Sequence, residues 1–224
     1  MDKRIFSKAP IGAVKDLKVI DPKTIPHVLE EGELGVALEW MVRDTKTGEV
    51  TEHVIKRSES YVRGFLDLFY VQTNQISRDS LYQLRDTSNA LQDVAQSAYS
   101  FRCNAGAGII THGIMVGTDN TAPTINDYKI GTLIAHGVGA GQLQYGAVTF
   151  GAPASDATTS QFTITRNFAN ASGGVVTVEE VGLYNITRTY ATSYYIMTIR
   201  DVTGGIAVPN GQTLTVNYRP QAVV

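Results

Sequence analysis

Cysteine is almost absent from this sequence: its 224 residues hold one, Cys103. A single thiol cannot close an intramolecular disulfide, so a small secreted domain stapled by disulfides is excluded. Long apolar runs are missing too. No stretch approaches the ~20 residues of a membrane-spanning helix, and the basic start, Met1–Leu17, has no apolar core of the kind a signal peptide carries. The expectation is a chain made in a cytoplasm, with no membrane partner. An excess of either charge is also lacking. Nineteen basic residues face 21 acidic ones, for a formal net charge of −2, which gives no electrostatic case for binding nucleic acid or an anionic membrane surface. Only 18% of residues are charged, whereas glycine is frequent at 21 residues. That balance leans towards strands joined by many turns.

Recognisable catalytic patterns are missing as well. Two glycine runs, Gly106-Ala107-Gly108 and Gly137-Val138-Gly139-Ala140-Gly141, precede strand-like residues. A dinucleotide loop needs a helix there to hold the anion. No Gly-Lys-Ser or Gly-Lys-Thr triplet occurs, and no nucleophile elbow or serine–histidine arrangement is visible. His27, His53, His112 and His136 are not spaced as metal ligands on one element. Asp119, Asn120 and Asp127 offer oxygens for calcium, but without the ligand spacing of a calcium loop, so they read as loop-shaping residues. Glu179 and Glu180 are neighbours on a strand and point opposite ways, which denies them a shared face. Asn170-Ala171-Ser172 and Asn185-Ile186-Thr187 match the glycosylation pattern, without a secretory context to use it. No cofactor, metal or catalytic residue is expected, and the chain reads as a non-enzyme.

Period-two alternation is what the sequence does contain. Leu34, Val36, Leu38, Trp40 and Val42 fall on one face. Asp44–Gly48 then turns the chain into a return strand, Glu49–Arg57, which predicts a β-hairpin. Ser58–Gln72 predicts a short helix, capped by Ser58 or Ser60, with an apolar stripe of Tyr61, Val62, Phe65, Leu66 and Phe69. Further strands are predicted over Ser80–Arg85, Ile109–Val116, Gln142–Phe150 and Gln161–Asn170; Ala90–Val94 suits a strand or a helical turn, and Ser97–Phe101 the start of another strand. A C-terminal block carries four more: Val175–Tyr184, Ser193–Arg200, Ile206–Val208 and Gln212–Tyr218. Its last three are separated by turns at Thr203-Gly204-Gly205 and Pro209-Asn210-Gly211. A bulge at Glu179-Glu180 would leave Val181 and Leu183 facing inward.

The expected fold is mainly β: an antiparallel, jelly-roll-like β-sandwich with an N-terminal arm, a hairpin and one short helix. Residues 1–33 read as an extended arm, 34–74 as hairpin plus helix, and 75–224 as the sandwich. Ile11, Val14, Leu17, Val19, Ile20 and Ile25 make the arm too apolar for a solvated tail, and Val14–Ile20 suits one strand. Tyr184, Tyr190, Tyr194, Tyr195 and Tyr218 suit a core, an interface or, alternatively, a carbohydrate-stacking face.

The order of these signals is similar to one family. It runs from Asp44…Thr47-Gly48-Glu49-Val50 through a helix to Gly117-Thr118…Thr121-Ala122-Pro123-Thr124…Asp127-Tyr128. It continues with Glu180-Val181-Gly182-Leu183-Tyr184, then Arg200-Asp201-Val202, and ends with Gly211–Tyr218. Over Leu34–Tyr218 the chain resembles structural proteins of tailed bacteriophages, of the neck, collar, tail or capsid-accessory kind. The link Gln75–Arg102 is longer than that family uses. The resemblance implies a homo-oligomeric virion component assembled in the host bacterial cytoplasm. Its partners would be portal, neck, tail or major capsid proteins. Assembly would run through the arm and sheet edges, with Leu34, Val36, Leu38, Trp40 and Val42 as the expected interface. A receptor-binding or tail-fibre protein recognising host surface carbohydrate is the alternative.

Overall fold

The computed structural model describes residues 29–58, 61–77, 81–189 and 191–224. The predicted strand Val14–Ile20, His27, the possible cap Ser60 and Tyr190 lie outside them. The chain opens with β1 (Leu34–Asp44) and β2 (Val50–Arg57), the predicted hairpin. Its turn is closed by the Asp44 carboxylate, which accepts from the amides of Lys46 and Thr47 at 2.9 and 2.7 Å. Gly48 takes the left-handed conformation there, at φ +75°. Then come α1 (Arg63–Thr73), the small hairpin β3 (Tyr82–Arg85) and β4 (Leu91–Val94), and β5 (Gly113–Gly117). Five short strands follow: β6 (Gln144–Tyr145), β7 (Thr149–Phe150), β8 (Ala154–Ser155), β9 (Thr159–Gln161) and β10 (Ile164–Ala169). Three long ones end the chain: β11 (Val176–Thr189), β12 (Thr192–Val208) and β13 (Gln212–Val223).

The strands form an antiparallel β-sandwich. One sheet runs β2-β1-β13-β10-β6, with β7 also on β10, β9 on the far end of β13, and β8 on β9. The facing sheet is β12-β11-β5. The last strand is therefore central. β13 pairs with β1 from Leu34 opposite Ala222 to Asp44 opposite Gln212. Leu214, Val216 and Tyr218, on one face as their alternation predicts, meet Val36, Leu38, Trp40 and Val42 in the core between the sheets. Ile114, Val116, Val181, Leu183 and Ile199 contribute from the facing sheet. Each such aliphatic side chain contributes ~1.5–3 kcal/mol on full burial. The jelly-roll refinement gains nothing from this strand order, in which eight strands face three.

The outer face of the three-stranded sheet carries α1, the β3–β4 hairpin and the loop 118–134. Leu68, Val71, Leu84, Val94 and Ile196 form a second apolar cluster there. Gly64 permits the approach of α1: a Cβ on it would lie 2.3 Å from the Met197 carbonyl oxygen.

Several expectations need correction. Thr203-Gly204-Gly205 is not a hairpin turn and Ile206–Val208 is not a separate strand, because β12 runs through both. The register slips between Val178 and Glu180, as expected, but the extra residues sit on β12, where Gly204 and Gly205 have φ +80° and +94°. This is a bulge, which uses the same glycines a turn would. Ser97–Phe101 forms turns. Only Gly113–Gly117 of the stretch from Ile109 is strand, and Ile109 is exposed. Gln142–Phe150 breaks into β6 and β7, and Gln161–Asn170 starts its second strand only at Ile164. On α1 the buried residues are Leu68 and Val71, whereas Leu66 and Phe69 are exposed. The helix has no side-chain cap, and the Ser58 hydroxyl donates instead to Asp201 at 2.8 Å. The division at residue 74 separates no units: β1 and β13 share a sheet and a core.

Candidate functional site

The residues expected to form an interface are mostly inside this chain. Val36, Leu38, Trp40 and Val42 are at most 4% exposed, and only Leu34, at 76%, faces outward. Their apolar face is spent on the core shared with β13 and the facing sheet, which leaves it unavailable as an outer surface. On the opposite face of β1, Glu39 gathers a polar network across three strands. His53 Nε2 lies 2.7 Å from one carboxylate oxygen, and Asn217 donates to the other at 2.6 Å. Arg219 forms an ion pair with it. Burial alone would raise the Glu39 carboxyl, but Arg219, His53 and Asn217 outweigh it and hold it below its ordinary value.

Two buried arginines that the sequence reading passed over organise the irregular parts of the fold. Arg166 sits on β10 between Ile164 and Phe168 and is fully buried. It donates to the carbonyls of Gly146 and Ile114, each at 2.9 Å, and to that of Ile109 at 2.5 Å. Longer bonds of 3.3 Å reach His112 and Gly106. Its guanidinium lies 4.8 Å from the Tyr145 ring centroid. Burial pulls its pKa down to about 10. The signal was available: a period of two places a charge at 166 on the same face as two core residues.

Arg200 collects Asp119 and Asp127, whose oxygens the sequence offers to calcium, together with Glu180. Its Nε is 2.9 Å from Glu180 and its Nη1 2.8 Å from Asp127, with Asp119 at 3.8 Å from Nη2. Glu180 also accepts from the amides of Asp119, Gly131 and Thr132 at 3.1–3.3 Å. The guanidinium occupies the centre that a cation would take, and it ties the loop 118–132 to β12. Burial would lower Arg200, but Glu180 and Asp127 outweigh that and raise it. Among the described residues no group of three or more His, Cys, Asp or Glu is arranged to hold a metal. Glu179 and Glu180 part as expected: the Glu179 carboxylate lies beside Gly205 at the bulge.

The remaining candidates scatter. His112 stacks on Tyr195 and His136 accepts from the Tyr145 amide at 3.0 Å. Burial, then Arg102 and Arg166, lower the His112 pKa. In the second glycine run the Gln142 side chain accepts from the Gly139 amide at 2.9 Å. In the first, the Gly108 amide donates to the Tyr145 carbonyl. Tyr184 and Tyr218 are buried, and Tyr194 packs on the cluster under α1, so among the described residues these tyrosines form no common platform. Asn170 and Asn185 are each 2% exposed and hydrogen-bonded through their side chains. A cleft of about 270 Å³ opens between α1, the β3–β4 hairpin and the loop at 126–128. Arg63, Asp67, Gln83, Arg85, Asn89 and Tyr128 line it, with Arg85 6.0 Å from the Tyr128 ring centroid.

The remaining feature is an edge. Among the described residues no strand pairs with the outer side of β2. The Ser58 amide donates to the Val36 carbonyl at 2.8 Å. Ladder alternation then turns the backbone groups of Lys56 and Val54 towards β1, and those of Arg57, Ile55 and His53 outward.

Comparison with known proteins adds no identity: no family model, no curated protein and no solved structure matches this chain.

Proposed function

We propose that this chain is a non-enzymatic structural subunit of a tailed-phage virion, present in many copies at the neck or collar, the tail or the capsid. The observation that carries the reading is the outer edge of β2, where among the described residues no strand takes up the backbone donors and acceptors of His53, Ile55 and Arg57. The motif order from Asp44 to Tyr218 supports the phage context. The buried charges support a structural role: Arg166, Arg200 and Glu39 are taken up in holding strands and loops together. Weak contacts of this kind gain affinity by repetition around a ring or lattice. Mass spectrometry and cryo-electron microscopy of purified particles test the reading. The expected result is the polypeptide at a fixed copy number, with density for its sandwich. Its absence from particles overturns the proposal.

A second reading, recognition of host surface carbohydrate, shifts from the tyrosines to the cleft. There Gln83, Asn89, Asn126 and Tyr128 share the lining. Glycan-array binding that is lost on Tyr128→Ala would favour it over the structural role, and a silent array would dismiss it.

A further inference from the structure

We propose that Arg102 and Arg188, gathered on Tyr99 at the end of β11, form a binding site for a phosphate group, taken up as free phosphate or as a phosphate monoester. None of these residues belongs to the β2 edge or lines the cleft beside α1. The inference is therefore independent of both readings above.

The site is built by a turn fastened to a strand. Residues 98–101 form a turn, and the Arg102 carbonyl accepts from the Ile186 amide at 2.8 Å. The hydroxyls of Ser100 and Thr187 add a contact at 3.1 Å. Arg102 thereby stands opposite Ile186 in an isolated antiparallel bridge. Arg188 lies two residues further along β11. Residues opposite each other, or two apart on one strand, share a face, so both arginine side chains leave on the same side as diagonal neighbours. Tyr99 holds them together. Its ring centroid is 4.3 Å from the guanidinium carbon of Arg188 and 5.5 Å from that of Arg102.

Each guanidinium is also fixed through its Nε. Arg102 donates to Asn104 Oδ1 at 2.7 Å, and Arg188 donates to Ser193 Oγ at 3.0 Å. Those bonds leave the Nη forks of both side chains without a partner among the described residues. Neither arginine is paired with a carboxylate there, whereas Arg57, Arg63, Arg200 and Arg219 each meet one. The uncompensated charge is felt nearby. After burial, Arg102 and then Arg166 lower the His112 pKa, and no carboxylate offsets them.

Charge and shape select the ligand. Two guanidiniums with open forks suit a dianion, and a phosphate monoester carries about −1.5 to −2 at pH 7. A planar fork meets phosphate oxygens in pairs, and the several oxygens of one phosphate can serve two forks. A lone carboxylate has one charge and is filled by a single fork. Ring contact and the Nε bonds hold both side chains before the anion arrives, so little rotamer freedom remains to be lost.

Nuclear magnetic resonance of the full-length protein tests this. Inorganic phosphate and glycerol 3-phosphate are added separately at constant ionic strength, and the arginine Nε–H signals are followed. Saturable shifts at Arg102 and Arg188 are expected. Tighter binding of glycerol 3-phosphate assigns a monoester as the ligand, and binding no tighter than phosphate assigns the free ion. Arg102→Gln and Arg188→Gln should each weaken binding about tenfold, the effect of losing one charge-assisted hydrogen bond. Arg43→Gln, which removes an exposed charge from the first hairpin, should leave it unchanged. No saturation by either probe up to roughly 50 mM overturns the proposal. An equal loss in Arg43→Gln also overturns it, by showing general attraction to positive charge, as does acetate binding as tightly as phosphate. The signals of the unaltered protein locate the anion even where a glutamine variant fails to fold.

Discussion

Replacing Arg166 with methionine should loosen one particular part of this protein. Methionine fills much of the same volume and keeps the apolar stem, so the change isolates the guanidinium. The side chain makes two bonds of 2.9 Å to the Gly146 and Ile114 carbonyls, and further ones to Ile109, His112 and Gly106. A hydrogen bond to a charged group contributes ~1.5–3 kcal/mol, so the two best-formed bonds alone represent ~3–6 kcal/mol. Relief of the buried charge offsets part of this, because a guanidinium without a carboxylate partner is costly to desolvate. The net expectation is a loss of about 2–4 kcal/mol, against a total stability of ~5–15 kcal/mol. For a chain of this size that lowers the melting temperature by roughly 5–15 °C. Hydrogen exchange gives the discriminating readout. The amides of Gly108 and Val148, which donate to the Tyr145 and Ala105 carbonyls, should lose protection first, while the β1–β13 ladder keeps its own. Arg166→Lys retains the charge but has three donors on a single head, so it should recover little. A methionine variant as stable as the parent, with unchanged exchange at Gly108 and Val148, would refute the reasoning.

Three further outcomes are expected. Gly64→Ala should lower the denaturant midpoint by the equivalent of ~1–2 kcal/mol. The ~1 kcal/mol gained in helix propensity is smaller than the cost of forcing α1 off the Met197 carbonyl and the Ile196 side chain, and a raised midpoint contradicts this. Acid should destabilise the fold through carboxylates whose pKa is lowered. Burial would raise Glu39, but Arg219 and its hydrogen bonds hold it below 4.5; in Asp127, Thr124 and Arg200 likewise outweigh burial and hold it below 3.8. Their stabilisation is complete above the ordinary values and is lost as pH falls through the lowered ones. Melting temperatures should therefore drop below about pH 4.5, less steeply in Glu39→Gln, and a flat profile to pH 3 sinks the idea. Finally, Cys103 should resist a thiol reagent at pH 8 in the folded protein and react fully in denaturant. Rapid labelling of the native state would show that its site opens.

Strict alternation made the central strands legible. Leu214, Val216 and Tyr218 face the core as their spacing requires, and so do Val36, Leu38, Trp40 and Val42. The same spacing gave no way to tell a surface that meets a sister chain from one that meets β13, since both need apolar side chains. Glycine was ambiguous for a similar reason: Gly204 and Gly205 supply positive φ to a bulge as readily as to a turn. The helix was found, but its buried side was misjudged, because Gly64 sets the contact with β12 and rotates Leu68 and Val71 inward. Asp119 and Asp127 share a loop in the sequence, and Glu180 stands far from them on a strand. Their meeting at Arg200 depends on the loop 118–132 folding over β12, which spacing does not encode.

β13, between β1 and β10, is the strand that joins the two sides of the larger sheet. Asn217 and Glu39, joined across that seam, lie 178 residues apart in the chain. Until β13 is in place the β1–β2 hairpin has no partner on its inner side, and closing so long a loop is slow. Loss of β13 would strip β1 of its whole ladder from Leu34 to Asp44 and weaken the core that Val36, Leu38, Trp40 and Val42 share with it. The hairpin and the strands beyond β13 thus depend on one long-range pairing for their common sheet.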